Sequence, residues 1–164
     1  MSDKKPANNG RPSQVTSPES FKADKEHWTN QLPDHLHNWL NGRTVDDVEC
    51  IVSDLAGISR GKTMPARKFA RSDRMFLPVS IFFQTITGEY ATPEDYSDPW
   101  MERDLVLVPD FEAATSVPWS GDVTLQVIHD IYLQDGTPMP FAPRNVLRRI
   151  IDLYTKEGLS LIHI

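Results

Sequence analysis

The stretch DLAGISRGKTMP, residues 54–65, contains glycine, lysine and threonine in nearly the order of a phosphate-binding loop. A P-loop has the pattern G-x-x-x-x-G-K-[ST], in which backbone N–H groups wrap a phosphate and the lysine reaches the terminal one. Here only three residues separate Gly57 from the Gly61-Lys62-Thr63 run, and Ala56 stands where the first glycine should be. Pro65 also prevents the long helix that a P-loop lysine opens. The pattern therefore favours a β-hairpin turn over a nucleotide site.

The histidines and the single cysteine favour structural roles. His35 and His37 lie two residues apart on a predicted helix and point about 200° apart, which disfavours a shared metal ion. His129 stands among apolar residues of a predicted strand, which favours a hydrogen-bonded histidine in the core or on a sheet face. Cys50 lies in the apolar run VECIV and has no second cysteine to pair with, which indicates a buried thiol in a reducing compartment.

An acidic loop is the remaining candidate for ion binding. Glu94, Asp95 and Asp98 share it with aromatic residues, and such carboxylates could bind a cation. A solvated loop is the favoured interpretation of this pattern. No Ser/His/Asp or Cys/His set can be assembled from spacing, so the residues alone identify no catalytic constellation.

Length and composition limit the class of protein. The chain has 164 residues, which suits one ordinary domain, and a net charge of −6. That charge disfavours a nucleic acid partner, because phosphates attract basic surfaces. No apolar run approaches the roughly 18 residues of a membrane span, and the N-terminus lacks the apolar stretch of a signal peptide. We therefore expect a cytoplasmic protein with no nucleic acid and no membrane partner.

The order of patterns along the chain predicts the elements that position these side chains. Residues 1–22 are rich in proline, serine, asparagine and lysine, which predicts a disordered arm. A short helical hairpin is predicted over residues 24–42. The elements predicted after it are strands at 48–54, 62–66, 78–86, 105–109 and 124–133, a short polar helix at 66–71 and an amphipathic helix at 144–157.

Several strands with few helices predict an α+β domain. The closing helix carries an apolar stripe that needs a partner, so we interpret it as the first element of something larger. The stripe consists of Val146, Ile150 and Leu153, with Leu147, Ile151 and Tyr154 beside it. Residues 159–164 do not continue the helical pattern, and we expect them to be a non-native tail.

An ordered series of motifs carries a resemblance to a known family. The motifs are VECIVSDLAGISRGKTMPARKF, SIFFQTITGEY, DLVLVPD, VPW, QVIHD and DGTPMPFAPRNVLRRI. Over about residues 45–158 the series resembles the amino-terminal part of the glutamine synthetase family. Because of RGK and QTITGEY it is most similar to the branch that joins glutamate to an organic amine, the γ-glutamylputrescine and γ-glutamylpolyamine synthetases. The resemblance implies a β-grasp domain at 23–139 and the start of a truncated catalytic domain at 140–158.

The resemblance also implies a reaction. ATP would phosphorylate the γ-carboxylate of glutamate, and an amine would attack the acyl phosphate, with Mg²⁺ or Mn²⁺ neutralising the phosphoryl group. In the family the metal-binding carboxylates follow the first catalytic helix, so the chain alone is expected to be inactive and to bind neither ATP nor metal. The implied partners of the parent enzyme are glutamate, a putrescine-like amine and further subunits of a homo-oligomeric ring.

One loop between subunits remains in this chain, and the resemblance assigns Leu77, Pro78 and Ser80 to substrate binding there. Ammonia-using members carry an aspartate in the motif M-F-D-G-S-S, and the matching residues 75–80 read MFLPVS, so Leu77 replaces the aspartate. Losing the carboxylate removes the attraction for ammonium and leaves a surface suited to an alkyl amine. The alternative that Leu77 only packs in a strand stays open.

Three other functions stay open at this point. The parent could be an ammonia-using glutamine synthetase or a regulatory or inactive member of the family, or the chain could act alone as a non-catalytic β-grasp interaction module. The amphipathic helix at 144–157 favours a truncated enzyme over a free module, because a helix at a free terminus should be polar all round. The residues do not identify which amine is used.

Overall fold

The computed structural model of the protein describes residues 28–72, 74–90 and 103–159. Some predictions fall outside these ranges: the disordered arm at 1–22, a cation at Glu94, Asp95 and Asp98, and the tail from residue 160 onward. No helix in the described ranges is long and apolar enough to cross a membrane.

The described residues form strands and helices in nearly equal number. The strands are β1 (Asp47–Ser53), β2 (Ser59–Pro65), β3 (Met75–Pro78), β4 (Asp104–Ser116) and β5 (Thr124–Tyr132). The α-helices are α1 (Asp34–Leu40), α2 (Ala66–Arg71) and α3 (Pro143–Lys156), and 3₁₀-helices occupy Trp28–Gln31 and Val79–Phe83. This content confirms the predicted α+β class, while the assignment to the β-grasp fold stays a prediction.

The strands form one mixed sheet in the order β2-β1-β5-β4-β3. β1 runs parallel to β5, and all other neighbours are antiparallel. The sheet is nearly closed, because a side chain of one edge strand reaches the other edge: Nζ of Lys62 in β2 donates to the carbonyl oxygen of Phe76 in β3 over 2.9 Å. The two strands farthest apart in sheet order are therefore neighbours in space.

The inner face of the sheet carries the core. Side chains alternate along a strand, and Val48, Cys50 and Val52 of β1 are all buried on this face. Trp28 and Phe69 from the helices pack there against Phe111 of β4, with ring centroids 5.0 Å apart for Trp28–Phe69, 5.8 Å for Trp28–Phe111 and 6.2 Å for Phe69–Phe111. The outer face holds a smaller buried cluster of Val106, Val108 and Tyr132.

The 3₁₀-helix at Val79–Phe83 corrects one prediction, because a strand was expected over 78–86. β3 ends at Pro78, and the N–H of Val79 then donates to the carbonyl oxygen of Arg103 over 2.8 Å. With three residues per turn, a 3₁₀-helix places Val79 and Phe82 on one side, and both are buried. An apolar run this short predicts burial, but it cannot distinguish a buried strand from a buried helical turn.

Gly61 is explained by close packing of two strands. A Cβ atom placed on Gly61 would lie 1.9 Å from the carbonyl oxygen of Cys50 in β1. A backbone atom cannot rotate away from such a contact, so only glycine fits at this point of β2. The glycine that suggested a phosphate-binding loop therefore serves the sheet.

Gly61→Ala should destabilise the fold. We expect the free energy of unfolding to fall by roughly 2 kcal/mol or more, because the added methyl group overlaps the backbone of β1. Urea denaturation measures the change. Gly121→Ala is the matched control, since a Cβ atom there meets nothing within 4 Å. Equal stability of the two variants would contradict the close approach of β2 to β1.

His129 and Cys50 are buried on the inner face, as predicted. Nδ1–H of His129 donates to the carbonyl oxygen of Val127 over 2.9 Å, and Nε2 finds no hydrogen-bond partner in the described part of the chain. Burial lowers the pKa of His129 to about 4, although the bond to Val127 and the charge of Asp130 oppose the shift. Burial raises the pKa of the Cys50 thiol to about 12. Both side chains are therefore neutral at physiological pH.

The buried histidine should make the fold sensitive to mild acid. The unfolded imidazole, with a pKa of 6.5, binds a proton that the folded one binds only near pH 4, so stability is full above 6.5 and is lost as the pH falls towards 4. We expect the free energy of unfolding to drop by roughly 2 kcal/mol between about pH 7 and pH 5.

Urea midpoints at the two pH values test this. The loss should disappear in His129→Leu and persist in His37→Leu, because His37 is exposed on α1. A wild-type midpoint that does not change between the two pH values would show that His129 is not held neutral by the fold.

Candidate functional site

The turn between β1 and β2 is organised by one buried carboxylate. Asp54 is 1% exposed, and its Oδ1 accepts backbone N–H groups from Ala56 over 2.9 Å and from Ile58 over 2.8 Å. Its Oδ2 accepts Nε of Arg60 over 2.8 Å. Burial alone would raise the pKa of Asp54, but the bonds from Arg60 and the two backbone groups outweigh it and hold the pKa below its usual value. The carboxylate is therefore ionised and fully occupied.

This geometry excludes the phosphate-binding interpretation of the turn. A P-loop needs free N–H groups that converge on an anion. Here the N–H groups of Ala56 and Ile58 bind the Asp54 side chain, and that of Gly57 donates to the Asp54 carbonyl oxygen over 3.2 Å. The carboxylate of Asp54 thus accepts the N–H groups that a bound phosphate would need. Gly57 remains necessary, because its φ of +78° is a conformation that other residues rarely adopt.

Two cations of β2 connect the turn to the opposite edge of the sheet. Arg60 uses Nη2 to donate to the carbonyl oxygen of Thr85 over 3.0 Å while its Nε binds Asp54. Lys62 donates to the carbonyl oxygen of Phe76, as described above. The two basic residues of the RGK motif thus bind the backbone at residues 76 and 85, across the gap between the edge strands β2 and β3. The spacing of the motif in the sequence did not reveal this role.

The segment held at Thr85 is a small hairpin, residues 84–90. Gln84 and Tyr90 form an isolated antiparallel bridge, and the N–H of Thr85 donates to the carbonyl oxygen of Glu89 over 2.7 Å. The side chains at its tip face the solvent, and Ile86 is 74% exposed. The hairpin therefore presents the side chains of Ile86 and Tyr90, which is also exposed, on a hydrogen-bonded backbone.

The three residues predicted to bind substrate lie between these two held points. Leu77 is opposite Leu105 of β4 and packs partly against the inner core. Pro78 is exposed at the end of β3, and Ser80 is half-buried in the 3₁₀-helix that follows. The structure brings them together in one short stretch at the sheet edge, and their role in substrate binding stays a prediction.

The other candidate residues are dispersed. His35 and His37 are exposed on α1, which confirms their placement on the surface. Within 28–72, 74–90 and 103–159, no three His, Cys, Asp or Glu side chains are grouped so that they could hold a metal ion.

A charged cluster that sequence reasoning missed fixes α3 to the outer face of the sheet. Arg144 and Arg148, one turn apart on α3, bind Asp110 of β4 and Asp130 of β5. Nε of Arg144 lies 3.0 Å from Oδ1 of Asp130, and Asp130 is buried. Asn145 adds bonds to the carbonyl oxygens of residues 131 and 139 over 2.8 and 3.0 Å. The signal in the sequence was the pair of arginines four residues apart.

These contacts orient the apolar side of α3 away from the sheet. Leu147 is 56% exposed and Leu153 is 50% exposed, and Ile150 and Tyr154 are also exposed. The predicted amphipathic helix is thus present. Its charged face, and not its apolar face, packs against the sheet. Of the apolar stripe, Val146 and Ile151 are half-buried, and the other four side chains remain exposed among the described residues.

Comparison with curated proteins finds relatives with different names. The lengsin of Homo sapiens is 25% identical over 130 residues, which cover 78% of this chain and 25% of that protein. No family model matches the chain. The gamma-glutamylputrescine synthetase of Escherichia coli (strain K12) is 26% identical over 133 residues, which cover 80% of this chain and 28% of that protein. The gamma-glutamylpolyamine synthetase of Streptomyces coelicolor is 27% identical over 151 residues, which cover 92% of this chain and 29% of that protein. The chain therefore spans less than a third of the length of these curated relatives.

A solved structure described as a novel glutamine synthase homolog superimposes with a TM-score of 0.57 at 26% identity. The match covers 70% of this chain and 28% of that one. The arrangement of strands and helices is thus shared with a protein of similar sequence.

The β1–β2 turn should not bind nucleotide, because its N–H groups and its basic side chain already have partners. We expect any dissociation constant for ATP at this turn to be weaker than about 1 mM by isothermal titration calorimetry. Lys62→Ala should give the same result as the wild type. Tight ATP binding that Lys62→Ala abolishes would restore the phosphate-binding interpretation.

Proposed function

The chain is related to the glutamine synthetase family, and we propose on that basis that it is the amino-terminal part of a ligase that uses ATP to join glutamate to an organic amine. In this proposal residues 23–139 form the β-grasp domain, 140–158 begin the catalytic domain and 159–164 are not native sequence. Ligases of this family form C–N bonds.

The observation that carries the proposal is the similarity of most of this chain to two synthetases named for γ-glutamyl products of putrescine and of polyamines. The position of α3 supports it. Charge pairs hold one side of this helix on the sheet and leave a stripe of large apolar side chains outside. Such a stripe favours a further domain that packs against α3.

The proposed reaction assigns different tasks to different parts of the enzyme. By the family resemblance, ATP, the divalent cations and the glutamate would bind to the catalytic domain beyond this chain. This chain would supply the loop with Leu77, Pro78 and Ser80, which reaches the amine site of a neighbouring subunit in a ring. We derive no catalytic step from the chain itself.

The character of residue 77 supports an organic amine over ammonia. The family resemblance places an aspartate here in ammonia-using members, and a carboxylate attracts a small ammonium ion. Leu77 provides apolar surface instead, and Pro78 beside it is exposed at the strand end. An alkyl stem gains from such a surface, whereas ammonium does not.

Leu77→Asp in the full-length protein should shift the preference towards ammonia. We expect the ratio of kcat/KM for ammonium to kcat/KM for putrescine to rise about tenfold, because the new carboxylate attracts the smaller cation and removes apolar contact. Phosphate release with ATP, Mg²⁺, glutamate and each amine measures both constants.

Leu77→Asn is the matched control, since it has nearly the same shape as aspartate without the charge, and it should leave the preference nearer to that of the wild type. A ratio that does not change in Leu77→Asp would mean that Leu77 only packs against the core. If the wild type released phosphate with ammonium and not with any alkyl amine, the parent would be a glutamine synthetase.

A further inference from the structure

The hairpin at residues 84–90 is held by a side chain from the opposite edge of the sheet. Arg60 bridges two acceptors: Oδ2 of Asp54 at 2.8 Å from its Nε, and the carbonyl oxygen of Thr85 at 3.0 Å from its Nη2. The guanidinium group is planar and its donors have fixed directions. The two acceptors are therefore fixed relative to each other more firmly than by a lysine, whose three donors sit on one freely rotating nitrogen.

The end of this bridge at Asp54 is rigid. Its side chain is fully buried, and two backbone N–H groups of its own turn hold the other oxygen. The Arg60 side chain is 21% exposed, so its bond to the carboxylate is only partly screened by water. The turn alone therefore holds the guanidinium group of Arg60 in place, without any contribution from the hairpin.

The other end of the bridge is the residue on which the hairpin is built. Thr85 donates its N–H to Glu89, and its carbonyl oxygen also accepts the N–H of Gly88 over 2.9 Å. Fixing the carbonyl group of Thr85 therefore fixes both sides of the hairpin. Ile86 and Tyr90 are exposed on it, and they offer aliphatic and aromatic surface to a ligand.

A second contact holds the start of the same segment. Lys62, two residues after Arg60 and on the same side of β2, binds the carbonyl oxygen of Phe76, directly before Leu77. The stretch from Leu77 to Gln84 thus runs between two points that β2 holds.

We propose that Arg60 is a positioning residue for an alkyl-amine site: by holding hairpin 84–90 against the Asp54 turn, it presents Ile86 and Tyr90 in fixed positions on the same segment as Leu77. This role rests on the proposed function. Arg60 touches no substrate and acts through the hairpin. The ligand chemistry is an amine with an alkyl stem, because aliphatic and aromatic side chains contribute binding to a stem and nothing to bare ammonium.

Hydrogen exchange measured by mass spectrometry tests the bridge in the chain itself. In Arg60→Gln we expect the amides of residues 85–89 to exchange about tenfold faster or more, while peptides from β5 keep the wild-type rate. Arg60→Lys should also lose protection in the hairpin and serves where the glutamine variant does not fold. Lys68→Gln, which removes an exposed charge of α2, should change neither region.

Kinetics of the full-length protein test the positioning role. Arg60→Lys should raise KM for putrescine about fivefold or more, with kcat and KM for glutamate within about twofold of the wild type. A purely structural loss would lower the active fraction and thus kcat, without a selective change in one KM. Lys68→Gln should again match the wild type.

Three outcomes would overturn the proposal, and they are distinguishable. Unchanged exchange in residues 85–89 would show that Arg60 does not hold the hairpin. Faster exchange there without a change in KM for putrescine would show that the hairpin does not serve the amine site, although the proposed function would stand. A wild-type enzyme without amine-dependent phosphate release would remove the proposed function and this role with it, whatever the exchange data show.

Discussion

The buried carboxylate of Asp54 is the interaction on which the edge of this sheet depends. It terminates β1, shapes the turn through two backbone N–H groups and fixes the first cation of β2. Burying an ion costs free energy unless it is paired and hydrogen-bonded, and both oxygens of Asp54 meet that condition. All partners of the Asp54 carboxylate lie within six residues of it in the sequence, so the turn can form locally. The turn then orients Arg60 towards the opposite edge strand.

A second set of paired charges, in which Asp130 is buried and the others are partly exposed, acts on the outer face. Asp110 and Asp130 stand on neighbouring strands, and the two arginines of α3 lie over them one helical turn apart. These ion pairs define which side of α3 faces the sheet. They orient the helix more than they stabilise the fold, because the cost of desolvating the charges offsets much of their attraction. An apolar contact would have turned the stripe of α3 inward. The charge pairs therefore decide that the stripe remains outside, available to whatever packs there.

The sequence predicted most local elements but not β3 or the second half of β4, and it predicted side-chain partnerships poorly. Periodicity located α3 to within a residue at each end and placed His129 and Cys50 in the core, because burial leaves a direct mark on the pattern of apolar residues. The 3₁₀-helix at Val79–Phe83 was missed, since short apolar runs carry no period that separates it from a strand.

The contacts of the candidate site were missed for a different reason. The bond from Arg60 to Thr85 joins residues 25 positions apart, and those from α3 to Asp110 span more than 30. Such pairs depend on the register of β1, β4 and β5, which a single sequence does not specify. The RGK motif could be located but not interpreted, because its distant partners, at residues 76 and 85, are backbone carbonyl groups that have no signature in the sequence.

Side chains, and not a further ladder, bring the two edges of the sheet together. Pro65 ends β2 and Pro78 ends β3, and proline donates no N–H to a neighbouring strand. Each edge strand thus lacks one backbone donor at its end, which disfavours extension of the edge by another chain at that point. Arg60 and Lys62 span the remaining gap with single bonds to carbonyl groups. Single hydrogen bonds thus hold residues 76 and 85, while the backbone from Leu77 to Ser80 forms no strand pairing with β2. Leu77 and Pro78 pair with β4 on one side only, so this partial closure leaves the other side of their backbone open near the substrate contact that we propose.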